Sequence, residues 1–118
     1  MNAMDNECIF CKIANKEIPS EIVFENEDMV AFSDLNPKAP VHILFIPKKH
    51  IATLNDLSGN DGEIVGRIFS VIKDVAAQRG ISEDGYRVVA NCNKNAGQEV
   101  FHIHFHLLGG RSFTWPPG

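Results

Sequence analysis

Hydrophobic positions along this chain keep two different periods, and the switches between them mark out its elements. Between Gly62 and Arg79 the apolar residues Ile64, Ile68, Ile72 and Val75 or Ala76 recur at helical spacing, with Arg67, Lys73 and Asp74 outside the stripe, so the pattern predicts one long amphipathic helix closed by Gly80. Shorter apolar runs read as strands: Glu21 to Glu25 and Met29 to Phe32 as a hairpin across Asn26-Glu27-Asp28, His42 to Ile46 stopped by Pro47, Tyr86 to Ala90, and Val100 to Leu108. Cys8 to Ala14 predicts a short helix with Cys8 and Cys11 one turn apart on one face. The stretches Asp34 to Pro40 and Asn91 to Gln98 read as polar loops. A five-stranded antiparallel sheet with one long and one short helix, an α+β domain, accommodates that order.

The last predicted strand carries the chemistry. In His102-Ile103-His104-Phe105-His106 three of the chain's five histidines recur at every second position, so their rings share one face while Ile103 and Phe105 take the other. Rings of one face stand roughly 6–7 Å apart along a strand, which brings titratable groups side by side. The other two histidines, His42 and His50, flank the third strand, so pairing of the third and fifth strands gathers all of them.

Composition narrows what that cluster can serve. At 118 residues, 44% hydrophobic and 22% charged, the chain suits a single domain spanning 1–118. A net charge of −4 argues against general nucleic-acid binding, while leaving room for one small anionic nucleotide held by local donors. No apolar run approaches the ~18–20 residues that span a bilayer, and Asp5 and Glu7 precede Cys8 where a signal sequence would be basic and then apolar, so a cytoplasmic protein without a membrane partner is expected. The cysteine count is odd, at three, and Cys8-Ile9-Phe10-Cys11 has the spacing of metal ligation or redox chemistry more than of a disulfide framework.

Two chemistries compete for the histidines. Imidazoles at alternate strand positions can chelate zinc, either as an open catalytic site or, with Cys8 and Cys11, as a closed Cys2His2 structural site; two small buried hydrophobes is the plainer alternative for the cysteines. A neutral imidazole can equally attack phosphorus without bringing up an anion. Such a nucleophile requires an acceptor on its far nitrogen and donors where charge builds on the phosphoryl oxygens. His106 and the amides of the Asn95-Ala96-Gly97-Gln98 loop are candidates for those donors.

The run Gly97-Gln98-Glu99-Val100-Phe101-His102-Ile103-His104-Phe105-His106-Leu107-Leu108-Gly109-Gly110-Arg111 resembles the signature of the histidine-triad (HIT) superfamily, and most of all its Hint-like branch of purine nucleoside phosphoramidases. Cys8-Ile9-Phe10-Cys11-Lys12-Ile13, Phe32-Ser33-Asp34-Leu35, Ala39-Pro40-Val41-His42, Ile46-Pro47-Lys48-Lys49-His50-Ile51 and the closing Trp115-Pro116-Pro117-Gly118 are similar to segments of the same branch. The resemblance implies that His104 is the nucleophile that takes up the nucleoside monophosphate, that His106 contacts the phosphate and leaving group, and that His42 sets their protonation. It implies a purine pocket walled by Ile9, Phe10, Ile13, Phe32 and Leu35, with Asp34 on the ribose hydroxyls. Asn91 and the segment Gly97, Gln98, Glu99 and Val100 would complete the phosphate cradle.

It further implies a structural zinc on Cys8, Cys11, His50 and His102, with no metal needed for catalysis. A homodimer is implied as well, joining two sheets into one of ten strands through the long helix and fourth strand, with Trp115 bordering the partner's leaving-group pocket. The expected reaction is hydrolysis of the phosphorus–nitrogen bond of an AMP or GMP phosphoramidate, such as AMP-lysine, through a nucleotidyl-histidine. Dinucleoside polyphosphate hydrolysis and a zinc-containing nucleotide-binding scaffold with vestigial activity are the alternatives. Glu99 stands where animal Hint proteins have serine, and Cys92 reads as a small, partly buried thiol.

Overall fold

The computed structural model of the chain describes residues 7–118. Five antiparallel strands form one sheet: β1 (Ile22–Glu25), β2 (Met29–Ser33), β3 (Val41–Pro47), β4 (Tyr86–Val89) and β5 (Phe105–Gly109), in the order β1-β2-β3-β5-β4. The β1–β2 connection is tight because the Asn26 Oδ1 accepts from the backbone N–H groups of Asp28 and Met29 at 2.8 and 3.0 Å, an Asx turn. Two short 3-10 turns, Leu54–Asp56 and Lys94–Ala96, were not expected from the apolar pattern.

Helices cover both faces of the sheet, which is why β2 and β3 read as nearly continuous apolar runs rather than alternating ones. The long helix, Asp61–Gln78, lays Ile68, Ile72, Val75 and Ala76 on one face, against Met29, Ala31, Ile43, Phe45, Phe105 and Leu107. Each such side chain removed from water contributes about 1.5–3 kcal/mol before entropy is counted. The short helix, Ile9–Ala14, covers the opposite face and packs Phe10, Cys11 and Ile13 on Val30, Phe32, Leu44 and Ile46. Cys8 caps it, its Sγ accepting from the Cys11 N–H. Gly80, at φ 73°, ends the long helix in the left-handed conformation that glycine adopts without strain.

Strand parity then decides where the histidines go. Ile43 and Phe45 of β3 and Phe105 and Leu107 of β5 face the long helix, so His42 and His106 fall on the short-helix side. His102 and His104 keep that parity, but they precede β5, which begins at Phe105 and not at Val100 as the apolar pattern predicts. The cause lies in the partner strand. Continuing the register Phe45↔Phe105 would pair Ile103 with Pro47, which has no N–H to give, and the Ile103 N–H instead donates to the Ile51 carbonyl at 2.7 Å.

The Ile64 to Ala76 stripe of the long helix, which the resemblance offers with any further apolar face of that helix as a subunit contact, packs against the chain's own sheet, and Phe69 is the large apolar residue that the helix leaves exposed, at 46%. Two glycines secure the end of β5. A Cβ on Gly109 would stand 2.5 Å from Ile81 Cδ1, and one on Gly110, at φ 90°, would stand 2.9 Å from Pro40 Cβ. Among the described residues no helix is long and apolar enough to cross a membrane.

Candidate active site and metal centre

All five histidines lie on or beside the short-helix face, in two adjoining groups. Backbone groups that can act in only one sense determine the tautomer of most of them.

Lys38 contributes the first such group. Its N–H donates to His42 Nδ1 at 3.0 Å, so the proton of neutral His42 sits on Nε2. From there it is donated to His106 Nδ1, 2.9 Å away, with an Asp34 carboxylate oxygen 3.4 Å off. His106 must then carry its own proton on Nε2, which becomes a donor at the cavity. His104 is arranged oppositely: its Nδ1–H donates to the His102 carbonyl at 2.8 Å, and its Nε2 lone pair is left for an electrophile. Phe10 packs its ring edge-on to His104 at 5.0 Å between centroids and holds the imidazole plane.

Burial keeps these rings uncharged at neutral pH. It pushes His106 down to about 4, helped by the neighbouring His104 and His42, with Asp34 opposing. His42 and His104 are also lowered, in each case chiefly by burial; the Asp34 charge opposes this at both, and at His104 so does the bond to the His102 backbone. The result is an uncharged ring with its lone pair on Nε2 beside an uncharged donor.

His102, His50, Cys8 and Cys11 form the second group. The fully buried His102 donates Nε2–H to the Pro47 carbonyl at 2.7 Å, so its Nδ1 lone pair faces Cys8 Sγ and Cys11 Sγ, each at 3.4 Å. His50 Nδ1 lies 3.2 Å from Cys11 Sγ. These four side chains could hold a metal ion, their ligand atoms all within 4.8 Å of one another. Asp34, His42 and His106 are equally close. There, however, a metal on His42 Nε2 would displace the proton that the Lys38 N–H forces onto it, leaving an imidazolate, so that trio is a hydrogen-bond relay and not a metal centre.

Two cavities meet at His106, and His104 lines the first of them. One, about 320 Å³, is lined by Ile9, Phe10, Ile13, Phe32 and Leu35 together with Asp34, Asn91, Gly97, Glu99, Val100, His104 and His106. Ile18, Pro19, Ser20, Ser33 and Leu44 complete it. Of these additions only Leu44 carried a signal, since it shares strand parity with His42. The other cavity, about 310 Å³, shares Asp34, Asn91, Glu99 and His106 and adds Asn36, Lys38 and His42.

Gln98 and Trp115 line neither cavity of this chain. Gln98 is buried and its amide is a clasp, accepting from the Asn93 N–H at 2.8 Å and donating to the Ala52 and Val100 carbonyls at 2.8 and 3.1 Å. Trp115 is 82% exposed. The loop amides are also partly committed. Those of Gly97 and Gln98 donate to Lys94 and Asn93 carbonyls, whereas those of Glu99 and Val100 make no bond within the described residues.

An apolar pocket opening onto a lone-pair imidazole and a ring N–H defines a site suited to histidine chemistry on an α+β fold. The chain belongs to the HIT domain family, which it matches over residues 15–113. It is 51% identical over 108 residues to the purine nucleoside phosphoramidase of Escherichia coli (strain K12), covering 92% of this chain and 91% of that protein. The crystal structure of a HIT family hydrolase from Legionella pneumophila Philadelphia 1 superposes with a TM-score of 0.92 at 56% identity, over 94% of this chain and 99% of that one. A histidine triad protein from Clostridium difficile gives 0.90 at 47% identity, over 97% of each chain.

Proposed function

We propose that this HIT family protein hydrolyses the phosphorus–nitrogen bond of purine nucleoside 5'-phosphoramidates, releasing AMP or GMP and an amine. The observation that carries this reading is the opposed tautomers of neighbouring rings: a lone pair on Nε2 of His104, which lines the apolar cavity, and a proton on Nε2 of His106, which lines both. The purine lies in the apolar cavity, with the ribose hydroxyls on Asp34 and the phosphate on the Glu99 and Val100 amides. His104 Nε2 attacks phosphorus. The P–N bond breaks, and the amine leaves with the bonding pair into the second cavity, hydrogen-bonded to His106 and protonated from solvent. Water then attacks the nucleotidyl-His104, and the P–N pair returns to the imidazole.

Rapid quenching after mixing with an adenosine phosphoramidate, followed by mass spectrometry, tests it. An AMP adduct on His104, absent together with turnover in His104→Gly, is expected. Tight AMP binding without adduct or turnover would instead make the protein a nucleotide-binding scaffold.

The Cys8, Cys11, His50 and His102 group holds a structural zinc. Tetrahedral zinc with ordinary bond lengths puts sulfur and nitrogen ligands about 3.5 Å apart, against 3.2–3.4 Å here. The Pro47 carbonyl supplies the outer partner that orients a ligating histidine. The protein works as a homodimer through Phe69 and the open edge of β4, with Trp115 reaching the partner's second cavity. That edge strand and the exposed Phe69 support this reading.

A further inference from the structure

The second cavity differs from the first in charge as well as in shape. The nucleoside side has an apolar wall of Phe10, Ile13 and Leu44, whereas the second cavity sets Asn36, Lys38 and His42 beside Val89 and Leu108. Three charged side chains line the second, and two of them are engaged. Asp34 Oδ1 accepts from the Asn36 N–H at 2.8 Å while its other oxygen faces His42, and the Lys38 ammonium donates to the Asn36 carbonyl at 3.1 Å. Glu99 is the third. It is exposed at the rim shared by both cavities, and its carboxylate makes no hydrogen bond or ion pair among the described residues.

An unneutralised carboxylate is unfavourable beside a site for an anion. Two unit charges about 6 Å apart in water repel by enough to weaken binding roughly threefold. The repulsion changes sign once the leaving group brings a positive charge of its own to the rim. We propose that Glu99 is a specificity-determining residue that selects amine leaving groups carrying a second, cationic group, such as diamines or basic amino acids, over neutral amines. The proposal rests on the phosphoramidase reading. An exposed ion pair is worth little, so the expected preference is about two- to fivefold.

Two AMP phosphoramidates of equal chain length test it, one made from a neutral alkylamine and the other from a diamine linked through one nitrogen. Their kcat/KM ratio is measured in the wild type, Glu99→Gln and Glu99→Lys at low and high salt. The wild type is expected to favour the diamine, Glu99→Gln and high salt to bring the ratio near one, and Glu99→Lys to invert it. Turnover of both substrates with a ratio that Glu99→Gln leaves unmoved, or with no preference in the wild type, overturns the proposal alone. If the wild type hydrolyses neither substrate, the phosphoramidase reading falls and the proposal with it.

Discussion

His102 and His104 are two residues apart on one face of one segment, yet their rings are prepared for opposite tasks. His102 gives its Nε2 proton to the Pro47 carbonyl and turns the Nδ1 lone pair to two sulfurs. His104 gives its Nδ1 proton to the His102 carbonyl and turns the Nε2 lone pair to the cavity. The same side chain in nearly the same burial thus turns its lone pair to a pair of sulfurs or to a cavity according to which nitrogen a carbonyl occupies. Backbone geometry, more than residue identity, separates the two corners.

The sharpest break of that comparison is His104→Ala. It should lower kcat roughly 10³-fold or more in a steady-state phosphoramidase assay, since a covalent nucleophile has no substitute, while thermal stability shifts far less. Cys11→Ser should do the reverse. Bound zinc, read by elemental analysis, should be lost and Tm should fall by roughly 10 °C, with kcat/KM at low temperature changing much less than for His104→Ala. An intermediate effect is expected of Lys38→Pro, which removes the N–H that sets the His42 tautomer. One neutral hydrogen bond corresponds to a loss of about tenfold in kcat, and a His42 tautomer change visible in nitrogen NMR would tie that loss to the relay.

The smallest effect is that of pH. His106 has an ordinary value of 6.5 and a folded value of about 4, so the unfolded chain takes up its proton first as pH falls. Its contribution to stability is full above 6.5 and is lost progressively between 6.5 and 4, amounting to about 1 kcal/mol by pH 5.5 in urea titrations. A profile of that kind missing from His106→Asn would assign it to this ring.

Periodicity made most of the fold legible, because β2, β3 and the long helix each bury a stripe whose spacing is written in the residues. It could not show how far a pairing runs. The fifth strand starts late on account of Pro47, a residue of the opposite strand, and no pattern within Val100 to Leu108 registers that. Among the candidate site residues, those on the apolar wall were recognisable from the family resemblance and from strand parity. Gln98 was not: a loop backbone amide next to a glycine reads as a ligand donor, and only the fold shows that N–H given to the Asn93 carbonyl while the side-chain amide is taken up by Asn93, Ala52 and Val100. The Lys38 N–H left no trace either, since every residue except proline offers the same group.

The contact between Gly109 and Ile81 has a consequence for how this sequence can drift. The closest approach is to the far end of the isoleucine, Cδ1 at 2.5 Å, with its Cβ and Cγ2 both at 3.2 Å. An alanine at 109 therefore requires Ile81 to swing its Cδ1 away and to give by a few tenths of an ångström at Cβ and Cγ2, so what either position accepts depends on the other. A smaller residue at 81 should widen what position 109 admits.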